Sequence, residues 1–261
     1  MDEYSVGGDV VSALSSLAPL APGWSRLLLC RHGETASNKT KLLQGGGADT
    51  PLNELGRKQA GQLADALAAS GVVVDRIATS HLVRAIVTAD PIASHFPAAQ
   101  RVVHRGLGEM LYGEIEGKPI AEMGKQMGQI AQSWREGDTS VRVGGPEGES
   151  PEVLLERAQA ALADVSAELP VGGTLLVVAH SHVNKALLAA LSGRGLSRIH
   201  SMPQDNGGLN VCLAPPPRAH PARLLFCPSS CCPYQRLLLL TLSLQPPPSL
   251  LMLCAPLGGG R

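Results

Sequence analysis

Two histidines in this sequence each follow a short apolar run of the kind that forms a buried strand. His32 belongs to the segment RHGET at 31–35, which comes directly after RLLLC at 26–30, and His180 comes directly after LLVVA at 175–179. A neutral imidazole can attack a phosphorus atom, and the planar guanidinium of arginine can hold phosphate oxygens in bidentate fashion. An Arg-His-Gly tripeptide by itself is also compatible with an ordinary surface turn, so its chemistry depends on which residues the fold places beside it.

A second cation follows another predicted strand. Arg84 lies within the first turn of the helix predicted after the apolar run at 72–79, and a helix N-terminus favours anions. Taken alone, Arg84 would be interpreted as a solvated helix residue. Together with His32 and His180 it indicates a site for a phosphate group.

The elements that must position these side chains alternate along the chain as strand and helix. Short apolar runs predict strands at 26–30, 72–79, 101–104, 175–179 and 209–213. Longer amphipathic runs predict helices at 54–70, 81–95, 120–134, 151–169 and 183–191. This alternation predicts an α/β fold of three layers (α/β/α), with a mostly parallel central sheet flanked by helices on both faces. Ligands of such sheets bind beyond the carboxyl ends of the strands, so His32 and His180 are expected to project into one crevice.

Composition limits the classes of protein to consider. The chain has 261 residues, 44% of them hydrophobic, which is enough for one large α/β domain with a sizeable core. Lys and Arg together number 22 and Asp and Glu together number 22, so the overall balance gives no indication of nucleic-acid or membrane-surface binding. We expect three parts: a flexible N-terminal segment at 1–25, a domain at 26–213, and a Pro/Leu/Cys-rich tail at 214–261 that is unfolded or loosely collapsed.

Cysteines and apolar segments bear on the compartment. Cys30 is the only cysteine in the first two hundred residues, which favours a reduced, intracellular domain. The apolar run at 237–244 is too short for a bilayer, which takes about 20 residues. The first 24 residues contain acidic side chains and no basic one, unlike a secretory signal or an Arg-rich transit peptide. We therefore expect a cytoplasmic or plastid location, with a cleaved leader unsupported.

Six segments, in order, resemble the histidine phosphatase superfamily, which includes the cofactor-dependent phosphoglycerate mutases. They are LLLCRHGETASN (27–38), LLQGGGADTPLNELGRKQA (42–60), ATSHLVRAIVTA (78–89), GEMLYGEIEG (108–117), GESPEVLLERA (148–158) and VVAHSHVNKALL (177–188). Each segment is a modest signal, but six in sequence at fitting intervals are strong, and they cover most of residues 26–213.

The resemblance implies roles for particular residues. His32 would become phosphorylated, Arg31, Arg84 and His180 would hold the phosphoryl oxygens, and Glu109 would donate a proton to the leaving group. The positions that match the family's phosphate pocket are Asn38, Gln44, Gly45 and Ser181. Two arginines and a protonated His180 would neutralise a phosphate dianion, so neither a metal nor another cofactor is expected.

Several positions depart from the family pattern. His182 stands where many relatives have a small residue and is predicted to be a rim or structural histidine, while Lys185 stands where arginine is common. The glycines at 45–47 suit either a phosphate-cradling loop or a plain linker. Surface or packing roles are predicted for the histidines outside the motifs, which are His81, His95, His104 and His200.

The substrate is a phosphorylated small molecule on this interpretation. Typical mutases carry tryptophans where this chain has Ser37 and the segment GGAD at 46–49, which favours hydrolysis of a phosphate monoester. The segments HSHVN at 180–184 and PQDN at 203–206 resemble plant and algal members related to carboxyarabinitol phosphate phosphatases, which indicates a sugar or sugar-acid phosphate. Mutase-type phosphoryl transfer and an inactive module that binds phosphorylated ligands remain as alternatives.

Overall fold

The strands form one six-stranded sheet. The computed structural model describes residues 10–17 and 19–214, and the backbone of 240–242. The strands are β1 (Ser25–Arg31), β2 (Arg76–Thr79), β3 (Gln100–Val103), β4 (Thr174–Ala179), β5 (Leu209–Ala214) and β6 (Leu240–Leu242). They lie in the order β3-β2-β4-β1-β5-β6, in which the first four are parallel, β5 is antiparallel to β1, and β6 is antiparallel to β5. The mostly parallel sheet predicted from the sequence is confirmed.

Seven α-helices lie in the described part of the chain, and side chains cap the first turn of two of the long ones. They are α1 (Val10–Ser15), α2 (Ala36–Lys39), α3 (Glu54–Ala69), α4 (Val83–His95), α5 (Ile120–Glu136), α6 (Pro151–Ser166) and α7 (Ser181–Leu191), with short 3₁₀ helices at Arg105–Leu107, Gly113–Ile115 and Leu196–Ser201. Asn53 caps α3 by accepting from the Gly56 N–H at 2.8 Å. Ser150 caps α6 in the same way. Both caps satisfy backbone donors that would otherwise lack a partner.

Two apolar cores cover the two faces of the sheet. Side chains alternate along β1, so Leu27 and Leu29 pack with α6 and α7, whereas Leu28 and Cys30 pack with α1, α3 and α4. The two faces are therefore each covered by helices, as the three-layer prediction requires. Because both faces of β1 and β4 are buried, packing on both sides fixes the positions of the carboxyl ends of these strands.

Several element boundaries differ from the predictions; α6, for example, ends at Ser166 and not at residue 169. β2 begins at Arg76, four residues after the predicted start, and Val73 in the segment before it is 67% exposed. α4 begins at Val83 instead of residue 81. α7 begins at Ser181, two residues early, because His180 already occupies the N-cap position.

Both ends of the chain contain structure that was not predicted. Within the N-terminal segment expected to be flexible, Val10 and Leu14 of α1 are buried against the core on the α3 side, while residues 1–9 lie outside the described residues. At the other end, β5 reaches Ala214, one residue beyond the expected boundary at 213. The backbone of β6 extends the sheet by pairing with β5 from Leu209 to Val211, and the remainder of the tail lies outside the described residues. No helix in the part of the chain that the structure describes is long and apolar enough to cross a membrane.

Candidate active site

The carboxyl ends of β1 and β4 bring the two motif histidines together. Arg31 is level with Ala179 in the parallel ladder, and the His32 backbone N–H donates to the Ala179 carbonyl at 3.0 Å. The imidazole rings of His32 and His180 consequently lie side by side, with centroids 5.1 Å apart. The two histidines that were expected to share one crevice therefore lie next to each other.

His32 is oriented through one of its ring nitrogens. Its Nδ1 lies 2.7 Å from the Gly33 carbonyl oxygen, which can only accept, so Nδ1 carries the proton and Nε2 carries the lone pair. Within the described residues Nε2 has no hydrogen-bond partner. Burial lowers the pKa of His32 well below its ordinary value, and the guanidinium groups of Arg31 and Arg84 lower it further. His32 is therefore a neutral imidazole with an available Nε2.

The turn after His32 is docked tightly on α3. A Cβ atom on Gly33 would collide with the Gly56 carbonyl oxygen, and one on Gly56 would collide with the Glu34 backbone. The Glu34 N–H donates to Gln59 Oε1 at 2.8 Å. Glycine is required at both positions because the atoms in the way are backbone atoms that cannot rotate aside.

His180 has partners on both ring nitrogens. Arg84 Nε donates to His180 Nδ1 at 3.2 Å, so the ring proton lies on Nε2, which is 2.7 Å from the Ser80 hydroxyl oxygen. Burial and the charge of Arg84 lower the pKa of His180 well below its ordinary value. The expectation of a protonated His180 is therefore wrong for this structure, because a guanidinium occupies the place where an anion would have to stabilise the imidazolium.

Arg84 connects α4 to the loop at 45–48. Its side chain is completely buried, and its terminal nitrogens donate to the Gly45 carbonyl at 2.9 Å and the Ala48 carbonyl at 2.5 Å. Arg84 thus holds this loop beside His180. The loop glycines are packed rather than free, since a Cβ on Gly45 or Gly46 would lie 2.6 Å from a backbone oxygen of the Glu109 segment.

Arg31 supplies the second guanidinium. One terminal nitrogen donates to the Gln204 carbonyl at 2.6 Å, while Nε is buried without a partner among the described residues. Burial lowers the pKa of Arg31, and the negative charge of Glu109 acts against that shift. An anion in the crevice would give the unsatisfied Nε a partner.

Glu109 closes the site from the side of α7. Its carboxylate accepts from the backbone N–H groups of Met110 at 2.9 Å, His182 at 3.0 Å and Val183 at 3.3 Å. Two of these donors belong to the first turn of α7, so Glu109 lies at the positive end of that helix. The negative charge of this carboxylate also acts on Arg31 and Arg84, the two arginines predicted to hold phosphate, and raises their pKa values.

The backbone around Glu109 is held by an ion pair that sequence reasoning did not single out. Arg157 binds Glu149 through two nitrogens at 2.7 Å each. Its remaining donor capacity goes to the carbonyls of Gly106, Gly108 and Glu109, each at 2.9 Å. Both partners lie in the GESPEVLLERA segment, so the resemblance contained the signal, although their contact with the Glu109 loop could not be read from it.

The other predicted phosphate-binding residues differ in their hydrogen bonds and in their burial. Asn38 Oδ1 accepts from Asn206 Nδ2 at 3.0 Å, and Asn206 also donates to the His32 carbonyl. The Gln44 carboxamide oxygen accepts from the Thr35 hydroxyl at 2.7 Å, so it is engaged within the loop. Ser181 is half-buried at the first position of α7.

Two small hydroxyl side chains in the site were missed. Ser80 directly follows β2, as His32 follows β1, and it orients His180. Thr88 accepts from the Gly33 N–H at 3.0 Å and donates to the Arg84 carbonyl at 2.7 Å, so it joins the turn after His32 to α4. The position of Ser80 after a predicted strand was a usable signal, whereas nothing in the sequence pattern identified Thr88.

The remaining histidines have packing or surface contacts. His182 Nδ1 lies 2.9 Å from the Tyr112 hydroxyl, and burial lowers its pKa to about 4. His200 stacks on Trp134 with ring centroids 5.4 Å apart. His104 accepts from the Gly106 N–H at 3.0 Å, and His95 lies 3.3 Å from an exposed aspartate.

Two further features of the described residues bear on the site. No group of three or more His, Cys, Asp or Glu side chains converges as a metal site in the residues that the structure describes. A cavity of about 550 Å³ lies at the opposite edge of the sheet, beside the amino ends of β1 and β4, and Leu14, Arg26, Val72 and Val171 are among its lining residues. It is separate from the crevice that holds His32.

The fold thus brings the two motif histidines together with two arginines and a glutamate, as the resemblance to the histidine phosphatases implied. The sequence profile of the histidine phosphatase superfamily (branch 1) matches residues 27–220, and the chain belongs to this family.

Individual relatives carry several activities in their names. The chain is 38% identical over 136 residues to fructose-2,6-bisphosphatase TIGAR of Xenopus tropicalis, an alignment that covers 51% of this chain and 46% of the relative, so it spans about half of that protein. It is 35% identical over 168 residues to the Yersinia enterocolitica protein named "Probable phosphoglycerate mutase GpmB", covering 64% of this chain and 75% of the relative. A mycobacterial glucosyl-3-phosphoglycerate phosphatase solved with VO3 superposes with a TM-score of 0.62 at 29% identity, covering 72% of this chain and 92% of that one.

Proposed function

We propose that this protein hydrolyses phosphate monoesters of a sugar or sugar acid through a phosphohistidine formed on His32. The observation that carries the proposal is the state of His32. The bond from Nδ1 to the Gly33 carbonyl leaves a neutral Nε2 open, beside two guanidinium groups that suit a phosphate dianion. The VO3 complex of the mycobacterial relative supports an oxyanion site in the same fold.

In the first step, His32 Nε2 attacks the phosphorus atom and the bond from phosphorus to the ester oxygen breaks. Arg31 and Arg84 stabilise the negative charge on the three phosphoryl oxygens, and the buried Nε of Arg31 gains a partner. Protonated Glu109 gives its proton to the departing oxygen, which leaves as an alcohol.

In the second step, water attacks the phosphohistidine. The Glu109 carboxylate takes a proton from the water as the new oxygen–phosphorus bond forms and the nitrogen–phosphorus bond breaks. Inorganic phosphate and neutral His32 are the products. Glu109 returns to the protonated state, ready for another ester.

The experiment traps the intermediate. The protein is incubated with ³²P-labelled sugar phosphates and quenched, and the label is expected to be acid-labile and base-stable, as a phosphoramidate is. His32→Ala should abolish the label, whereas the matched control His95→Ala, at the exposed end of α4, should retain it. An acid-stable phosphoester in the wild-type protein would contradict the mechanism.

Removal of divalent cations tests the charge balance independently. Because Arg31 and Arg84 supply the positive charge, turnover is expected to be unchanged in excess chelator. Loss of turnover on chelation, with recovery on addition of a divalent ion, would show that Arg31 and Arg84 do not supply the positive charge by themselves.

Mutase-type transfer is a second candidate, favoured by the similarity to the GpmB protein. Product analysis separates the two reactions, since hydrolysis releases free phosphate and a mutase returns an isomerised phosphate ester. Ligand binding without either product would indicate a binding module. We favour hydrolysis because the loop at 45–48, where typical mutases carry a tryptophan, consists here of small residues and is packed by Arg84.

We also propose an intracellular location, cytoplasmic or plastid. The support is Cys30, a buried free thiol in the centre of the domain. Burial raises the pKa of this thiol to about 12. Such a thiol is inert and does not form part of a disulfide framework.

A further inference from the structure

The cavity beside the amino ends of β1 and β4 has no part in the proposed mechanism. Its volume of about 550 Å³ lies in the range of small-molecule sites in proteins. The end of α1, the turn after α3 and the turn before β4 form its walls, and Arg26 of β1 lines it. Arg26 lies five residues before Arg31, so the cavity is about 16 Å along the strand from the crevice that holds His32.

Arg26 is the cation of this cavity. Because side chains alternate along β1, Arg26 points to the same face as Leu28 and Cys30, the face that α1 and α3 cover. The residue is half-buried, and its Nε is buried with no hydrogen-bond partner among the described residues. A buried donor without a partner is unfavourable, so an acceptor brought by a ligand would be stabilised at this nitrogen.

The residues around the cavity do not neutralise Arg26. Asp75 is the one carboxylate among the lining residues, and its Oδ2 accepts from the Thr174 N–H at 2.7 Å. In the described part of the chain, no carboxylate oxygen lies within 4.0 Å of the Arg26 guanidinium. Residues 215–261 contain no Asp or Glu, so side chains of the tail could not supply the anion either.

Apolar side chains at the rim of the cavity are exposed. Val171 is 84% exposed and Val73 is 67% exposed, the two highest values among the large hydrophobic side chains of the described residues. Both line this cavity, and the buried Leu14 lines it further in. Covering the two valines would remove apolar surface from water, which is favourable. A ligand with an anionic head and an apolar body would satisfy both the guanidinium and this rim.

We propose that this cavity is a second ligand site, separate from the crevice of His32, and that it binds a small amphipathic carboxylate. The planar guanidinium of Arg26 matches the two oxygens of a carboxylate, and the apolar part of the ligand covers Val73 and Val171. A single guanidinium suits a monoanion, whereas a phosphate dianion is better matched by the two arginines beside His32.

Calorimetric titration with 3-phenylpropanoate tests the site, in excess inorganic phosphate so that the crevice of His32 is occupied. One molecule should bind per chain, and at 100 times Kd it should raise Tm by about 5 to 10 °C. The isosteric 3-phenylpropan-1-ol and 3-phenylpropylamine lack the anion, and acetate lacks the apolar body. Each of these three should bind at least about 10-fold more weakly.

Two variants test the two features separately. Arg26→Met should weaken binding of 3-phenylpropanoate about 10- to 100-fold, while Arg57→Met removes an exposed arginine on α3 and should change nothing. Val171→Asp places a negative charge at the exposed rim and should also weaken binding. Its matched control is Val103→Asp, at an exposed position on β3 outside the cavity.

Other outcomes would overturn the assignment. They are equal binding of the carboxylate, the alcohol and the amine, unchanged affinity in Arg26→Met, and binding that occurs only when inorganic phosphate is omitted. If the wild-type protein does not bind the probe and the variant with Asp2→Asn and Glu3→Gln does, the N-terminal segment is the occupant in place of a free ligand. A dimer that Val171→Asp dissociates in sedimentation would instead assign the rim to a second copy of the chain.

Thermal melts of each variant identify any loss of binding that is due to unfolding. Val171→Asp changes an exposed side chain, so it keeps the test available if Arg26→Met melts early. Failure of the wild-type protein and of the Asp2→Asn, Glu3→Gln variant to bind 3-phenylpropanoate would overturn the proposal outright.

Discussion

The carboxyl ends of β1 and β4 are each followed by a histidine, and the two histidines differ in the hydrogen bonds that their rings make. His32 and His180 each follow the last residue of a buried strand, and the pKa of each is well below its ordinary value. His32 has one ring nitrogen bonded to a carbonyl and the other open, whereas His180 has both nitrogens bonded, one to Ser80 and one to Arg84. Burial therefore makes both rings neutral, and the hydrogen-bond partners decide which one is available as a nucleophile.

The largest expected effect comes from removing each ring in turn. His32→Ala should reduce turnover by at least about 10⁴-fold, because no other group can form the covalent intermediate. In the His180→Ala variant turnover should fall about 10²- to 10³-fold, as expected for the loss of one electrostatic group. This variant should still acquire the acid-labile label. Steady-state turnover and acid-quenched labelling measure both. Comparable losses with label absent in both variants would remove the distinction between the two histidines.

Glu109 is the predicted proton donor beside the carboxyl end of β4, because its carboxylate lies at the first turn of the helix that follows His180. Glu109→Gln should slow esters with poor leaving groups by about 10²- to 10⁴-fold and p-nitrophenyl phosphate far less, since a good leaving group needs no proton. The ratio of kcat/KM values for alkyl and nitrophenyl esters measures this. If both esters slow equally, the proton donor lies elsewhere, and Glu34 is the next candidate.

Thr88 connects the surroundings of the two histidines. It joins the Gly33 N–H, next to His32, to the carbonyl of Arg84, whose side chain contacts His180. Thr88→Val keeps the shape and removes the hydroxyl, which leaves a buried N–H unsatisfied. We expect kcat/KM to fall about 10-fold through kcat, and Thr88→Ser to restore most of it. A rise in KM for all esters that Thr88→Ser does not reverse would mean that the threonine acts through packing.

The smallest effect concerns stability against pH. The folded-state pKa values of His32, His180 and His182 lie below the value of an unfolded histidine, about 6.5, and that of His182 is about 4. Below pH 6.5 the unfolded chain binds protons that the folded chain does not, so the free energy of unfolding falls as pH decreases. Each such histidine should contribute a slope of about 1.4 kcal/mol per pH unit, which for His182 ends near pH 4.

Urea unfolding at pH 7, 6 and 5 measures that slope. His182→Asn should reduce it by the share of one proton, while His95→Ala, on the surface, serves as the control for removing any histidine. A free energy of unfolding that stays level from pH 7 to pH 5 would show that these rings titrate normally.

Sequence reasoning predicted that the two motif histidines lie together, but not the hydrogen bonds that orient them. The apolar runs before His32 and His180 identified the strands, and the parallel sheet then required their ends to meet. The bond from Gly33 to Thr88 spans 55 residues and that from Ser80 to His180 spans 100, and no local pattern records such pairings. The neutral state of His180 was missed for the same reason, because it depends on Arg84 pointing at the ring. The helix at 10–15 was missed because six residues carry too little periodicity.

The close contact between Gly33 and Gly56 has a consequence for hydrogen exchange. The amide hydrogens of Gly33 and Glu34 lie in a turn, where exchange is ordinarily fast, yet they donate to Thr88 and Gln59 on two different helices. With backbone pressed on backbone, the turn cannot open outward unless α3 and α4 also separate from it. These two amides should therefore exchange as slowly as those in the middle of α3, as expected if the turn after His32 unfolds together with the core helices.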